Sequence, residues 1–165
     1  MPTLRLITCV LLMAFLAGCG HADKPSAEQT QSIPPLTGDA AILQAWPGDF
    51  PVARLDRLPA DQREQGIGYI DERDIFAAVW AVFKPGEALP NIDFAKQLVL
   101  FARNTQYFNR ISAGKVMVKE GTAELLAMET LSARLIEDKV AMALVVVPQA
   151  GITGLRAGSI VIPIK

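Results

Sequence analysis

Histidine and cysteine are almost missing from this 165-residue chain. Its one histidine is His21 and its two cysteines are Cys9 and Cys19, so nothing beyond residue 21 carries either side chain. That absence excludes His-assisted serine hydrolysis, cysteine nucleophiles and His/Cys zinc sites from the body of the protein. With both cysteines near the N-terminus, a disulfide framework is excluded as well. Charge of one sign is also lacking: no run of five like charges occurs, and 16 Lys and Arg oppose 17 Asp and Glu for a formal net charge of −1. Nucleic-acid binding and polybasic lipid binding therefore have no support. There is no Walker-type phosphate loop, Gly66-Ile67-Gly68 lacks the third glycine of a dinucleotide turn, and no cofactor motif stands elsewhere. No repeat at the period of a solenoid or propeller is present.

What is present is most explicit at the start. Arg5 precedes an apolar run from Leu6 to Leu16, Ala17-Gly18-Cys19 follow, and the composition then turns polar. A positive end, a short apolar core and a small-residue cut site are the order of a secretory signal, and the core is too short to remain as a membrane-spanning helix. Leu16-Ala17-Gly18-Cys19 resembles the lipobox of bacterial lipoproteins. The resemblance implies removal of the signal peptide, residues 1–18, and a diacylglyceryl group on the Cys19 thiol. Each buried methylene contributes about 0.8 kcal/mol, so two or more acyl chains anchor stably where one holds only reversibly. The implied location is a membrane surface outside the cytoplasm. Gly20 stands where some inner-membrane lipoproteins have an aspartate, which points to the outer membrane facing the periplasm.

Residues 19–38 read as the lipidated cysteine and a flexible tether, with Pro25, Pro34 and Pro35 among polar residues and too little apolar surface to offset ordering. Residues 39–165 are long enough for one domain with its own core. Ala40 to Trp46 fits a short helix or strand, and Pro47-Gly48-Asp49 a turn. Val52 to Leu58 alternates imperfectly as a short strand, and Ala60 to Glu64 gives one helical turn. Asp71 to Phe83 is the clearest helix: Asp71 is the expected cap, Glu72 and Asp74 suit the first turn, and Ile75, Phe76, Val79, Trp80 and Phe83 form one apolar face. Pro85-Gly86 ends it. From Gln97 the pattern turns to β, with an apolar strand over Leu98 to Arg103. Strands over Ile111 to Lys119 and Thr122 to Leu131 are joined by Glu120-Gly121, a two-residue hairpin signal. Val140 to Val147 is apolar throughout, as a strand covered on both faces would be. Ser159 to Ile164 is a last strand, with Pro163 marking an edge. The expected fold is α+β: an antiparallel sheet of about five strands with one covering amphipathic helix.

Few residues invite chemistry. Ser112-Ala113-Gly114-Lys115 has the serine-x-x-lysine spelling of penicillin-binding enzymes, but the companion motifs are missing. In a regular strand an odd separation would send Ser112 and Lys115 to opposite faces. Asp71, Glu72 and Asp74 lack the spacing of a calcium loop and are explained by helix capping, and Asp93 suits a turn fastened through backbone N–H groups. The segment from Arg103 to Arg110 carries two arginines, two aromatics and several amides, a mix enriched at interfaces. Arg103, Tyr107 and Arg110 are therefore the candidate partner contacts, against the plainer expectation that the aromatics fold inward and the arginines are solvated.

Pro90-Asn91-Ile92-Asp93-Phe94-Ala95-Lys96-Gln97-Leu98-Val99-Leu100, following a Trp-containing helix, resembles the C-terminal domain of protease-complex accessory lipoproteins of the PrcB type. The likeness runs from Val79 to Leu100 and extends to many bacterial lipoproteins. It implies a non-catalytic subunit that binds a protein partner, and it supplies no catalytic, metal or cofactor residues. The expected function is thus a membrane-anchored, non-enzymatic binding or accessory module for an envelope protein. One alternative is a carboxylate-dependent hydrolase of cell-wall or glycan material, drawing on Asp71, Asp74, Glu87 and Asp93. Another is a carrier of a small lipid or metabolite.

Overall fold

The computed structural model describes residues 36–104, 108–131 and 138–165. Cys19, His21 and Tyr107 lie outside these. Pairing begins at the first described residue, where Leu36 N–H donates to Gly151 O at 3.2 Å and Leu36 O accepts from Gly121 N–H at 2.9 Å. In chain order the elements are β1 (Gly38–Ala40), β2 (Gln44–Pro51), a 3₁₀ helix (Val52–Arg57), α1 (Ala60–Glu64), β3 (Ile67–Ile70) and α2 (Arg73–Phe83). They continue with β4 (Gln97–Asn104), β5 (Phe108–Lys119), β6 (Thr122–Leu131), β7 (Lys139–Pro148), β8 (Gly154–Ala157) and β9 (Ile160–Pro163).

The content is α+β and mostly strand, but there are two sheets where the sequence pattern suggested one. The order β1-β5-β6-β8-β9 forms a five-stranded sheet, and β2-β7-β4-β3 forms a four-stranded one. All ladders are antiparallel except β6 with β8, which is parallel. Periodicity reports which face of a strand is buried and not which strands pair, so the split was hidden. The chain itself makes it: β1 lies against β5, and after residues 41–43 β2 pairs with β7 in the other sheet.

The four-stranded sheet is the middle layer. Along β7, Val140, Met142, Leu144 and Val146 face α2, while Ala141, Ala143, Val145 and Val147 face the five-stranded sheet. β4 divides in the same way, with Val99 and Phe101 on the helix side and Leu98, Leu100 and Ala102 between the sheets. This is why Val140 to Val147 has no polar position. On the helix side α2 buries Phe76, Val79, Trp80, Val82 and Phe83. Trp80 meets Trp46 edge-on at 5.1 Å between ring centroids, and its indole N–H donates to Glu87 O at 3.3 Å. Such aromatic pairs add about 0.5–1.5 kcal/mol beyond area burial.

Three local expectations need correction. Val52 to Leu58 is not a strand: it winds as a 3₁₀ helix, and the spacing of three between Leu55 and Leu58 turns the first partly and the second fully into the core, while Val52 stays exposed. The N-cap of α2 is Glu72 rather than Asp71, without a side-chain capping bond. Ser112 and Lys115 do not point apart. A β-bulge between Ala113 and Lys115 leaves Gly114 without a partner, so Ser112 pairs with Met128 and Lys115 with Leu126. Two residues apart on β6, those partners share a face, and so do Ser112 and Lys115.

The hairpin follows its sequence signal. Glu120 and Gly121 both have positive φ, 51° and 79°, as a two-residue turn matched to strand twist requires. Asp93 also behaves as a turn fastener, its Oδ1 accepting from Ala95 N–H at 3.2 Å. Truncating the aromatic centre of the helix layer, Trp80→Ala, is expected to cost about 3–5 kcal/mol in urea unfolding. Ile75→Ala, at a partly buried position of the same helix, should cost clearly less.

Candidate functional site

The uncovered face of the five-stranded sheet gathers the surface features of the molecule. Register places Arg110 opposite Thr130, Ser112 opposite Met128, Lys115 opposite Leu126 and Met117 opposite Glu124. Asp39 of β1 lies beside Met117, Arg156 of β8 beside Glu124, and Val161 of β9 beside Arg156. Alternation puts these residues on the side away from the core, and among the described residues no helix or strand packs over them. Large apolar side chains stand open there: Met128 is 69% exposed, Val161 45%, and Met117 and Leu126 40% each. Charges border them. Lys115 Nζ lies 3.0 Å from Asp39 Oδ2, with both side chains largely solvated, so the pair contributes roughly 0–1 kcal/mol.

Of the three residues expected to touch a partner, Arg110 is on this face and exposed. Tyr107 lies outside the described residues. Arg103 has turned inward. Sharing the side of β4 that carries Val99 and Phe101, it is buried, and its guanidinium serves the C-terminal end of α1. Nε donates to Gln62 O at 3.1 Å, and Nη2 donates to Gln65 O at 3.0 Å and to Arg63 O. These are carbonyls at the end of a helix, where a cation is favoured. Burial lowers the guanidinium pKa from its ordinary value. Buried and not solvated, Arg103 holds α1 to the sheet. Met117, Leu126 and Met128 went unnoticed as a group, although the adjacent pair Leu125-Leu126 departs from strict alternation.

What α1 is held against is a cleft of about 500 Å³ lined by Asp61, Gln62, Tyr69, Asp71, Glu72, Ile75 and the end of β9 with Lys165 beyond it. Asp71 is its single contribution from the four carboxylates considered for hydrolysis. Asp74 lies in the first turn of α2, Glu87 sits 4.0 Å from Lys84 Nζ, and Asp93 sits 3.4 Å from Lys96 Nζ. Tyr69 Oη donates to Pro163 O at 3.1 Å and ties the edges of the two sheets together. Its pKa is raised above 10.0, first by burial and then by the charges of Asp71 and Asp61. Among the described residues no group of three or more Asp, Glu, His or Cys is placed to hold a metal, and no helix is long and apolar enough to cross a membrane.

A second opening of about 550 Å³ lies between the sheets, lined by Ile67, Ala102, Asn104, Leu125, Ala127 and Glu129 among others. No protein-family model, curated protein or solved structure matches the chain.

Two predictions test these assignments. Arg103→Ala removes three bonds to backbone carbonyls and is expected to cost about 3 kcal/mol in urea unfolding. Arg103→Lys recovers only part of this, because an ammonium lacks the guanidinium fork. For Tyr69 the unfolded chain ionises first. Its contribution to stability is therefore complete below pH of about 10 and lost as pH rises from there toward the elevated folded value. Tyrosinate absorbance of a Tyr107→Phe protein should show a midpoint above 10.0, and Asp71→Asn should lower it only in part, because burial is the larger cause.

Proposed function

We propose that the protein is a cell-envelope lipoprotein that works as a non-enzymatic binding or accessory module for an envelope protein partner. It is held through acyl chains on Cys19 to a membrane outside the cytoplasm, the outer membrane facing the periplasm. The observation that carries the binding role is the open face of the five-stranded sheet. Isolated exposed apolar residues are ordinary, but a group bordered by charges marks an interaction surface. Methionine and arginine are enriched at interfaces, and Met117, Met128, Arg110 and Arg156 bring both to one side. Flexible thioethers also let such a surface adapt to its partner. The membrane placement rests on the lipobox from Leu16 to Cys19, and the accessory role on the likeness from Val79 to Leu100.

The test uses the lipidated protein in intact cells, cross-linked and isolated from membranes. Leu126→Asp with Met128→Asp is expected to reduce recovery of the cross-linked partner about tenfold or more, at unchanged urea midpoint, as loss of a central apolar anchor does. Arg110→Ala should give a smaller loss. Cys19→Ala should move the protein to the soluble fraction. Full recovery of the same partner by the double variant would overturn the binding face, and membrane retention of Cys19→Ala would overturn the anchor.

A further inference from the structure

We infer that the far half of β6 is a docking slot for an extended segment of the partner, which adds a strand beside residues 125–131 and sends side chains into the opening between the sheets. The inference deepens the proposed binding role and rests on it. β6 pairs with β5 along its whole length, from Thr122 to Leu131. On its other side β8 covers only Thr122, Ala123 and Glu124. Gly158, with a φ of 61°, then turns the chain back into β9, so the line of β8 stops while β6 runs on. Among the described residues no strand pairs with residues 125–131 on that side, and no turn or loop backbone bond reaches them. A strand paired on one side leaves alternate N–H and C=O groups open, and another extended backbone satisfies them in register.

Natural edge strands are commonly blunted with lysine, proline or a bulge. This one is not. Leu125-Leu126-Ala127-Met128-Glu129-Thr130-Leu131 has no lysine or proline, and the register irregularities of the hairpin are both in β5. β9, the outermost strand of the same sheet, differs: it carries Pro163, whose carbonyl is taken by Tyr69.

The space beneath the open edge selects the occupant. The opening of about 550 Å³ is walled by Leu125, Ala127 and Glu129 of β6, by Ala157 at the end of β8, and by Ile67 and Ala102 of the middle sheet. Arg103 also borders it, with its guanidinium already donating to the carbonyls of α1. A strand continuing the line of β8 would alternate. One set of its side chains would join Leu126 and Met128 on the outer face, and the other would enter the opening. There small aliphatic side chains meet Ile67, Ala102, Leu125 and Ala127. The carboxylate of Glu129, which has no ion pair among the described residues, favours a lysine or arginine at the next inward position. The partner segment is therefore extended, with small apolar inward residues and one basic residue.

Hydrogen–deuterium exchange on the full, lipidated protein in detergent tests the slot directly, without a variant that might misfold. Residues 125–131 should contain fast amides in alternation, whereas residues 122–124 should be uniformly slow. Uniform protection of residues 125–131 in the free protein would mean that the chain fills its own edge, and would overturn the proposal. The probes are heptapeptides of alternating threonine and valine in which one valine is replaced by lysine, serine or glutamate. The lysine peptide is expected to slow the fast amides about tenfold or more at saturation. It should bind about fivefold more tightly than the serine peptide, the worth of one partly exposed ion pair, with the glutamate peptide weakest. Glu129→Gln should abolish that order while binding persists, and Ala127→Trp should fill the opening and abolish binding. Failure of all three peptides to protect these amides would overturn the extended occupant. A partner still lost through Leu126→Asp with Met128→Asp would then leave the outer face standing without the slot.

Discussion

The structure depends on one strand having to serve two cores. β7 is buried along both faces, so its side chains alternate between the helix layer and the inter-sheet layer. Its backbone groups are taken by β2 on one side and β4 on the other. A strand so placed has no polar position to spare, and its neighbours must supply apolar surface in two directions. α2 answers on one face with an aromatic cluster in which Phe76, Phe83 and Trp46 of β2 surround Trp80. The five-stranded sheet answers on the other with Ile111, Val116, Val118, Ala123, Leu125 and Leu155. The three layers follow from that demand.

The exposed features follow from where the layering stops. A sheet used to cover a middle layer on one face leaves its other face to water, and here that face holds methionine, leucine and valine. The short strands β1 and β8 cover the turn end of the β5–β6 hairpin and not its far half, so the hairpin extends beyond both neighbours. On the helix side, α1 is only five residues long and contributes little apolar area. It is held by the Arg103 guanidinium instead, which shapes the wall of the Tyr69 cleft. A short helix with its carbonyls tied to a sheet can be positioned without a core of its own.

Much of the local structure was legible. The unbroken apolar run of β7, the helical spacing in α2 and the Glu120-Gly121 turn each carry their own period or turn chemistry, and each appears where its residues place it. Pairing was not legible, because a period of two says nothing about neighbours, and the passage from β1 into β2 has no turn signal. The bulge at Gly114 reversed the facing of Arg110 to Ala113, which is why Ser112 and Lys115 were assigned to opposite sides. The lone glycine was the available sign. Arg103 read as the start of a loop because it ends an apolar run. Its alternation with Val99 and Phe101 would have placed it toward the helices, but no pattern in the sequence pairs it with the carbonyls of α1. Leu126 and Met128 were hidden by their hydrophobicity, which in a strand normally signals a buried face.

The entry of the chain into the fold has a mechanical consequence. β1 contributes three residue pairs to β5, and the next eight pairs, between β2 and β7, lie in a different sheet. A pull on the polypeptide ahead of Leu36 would meet the small ladder first and the large one only after it had given way. Load arriving through the N-terminal end of the domain would thus be taken in two stages, with a weak link outside and the doubly covered strand behind it as the stop.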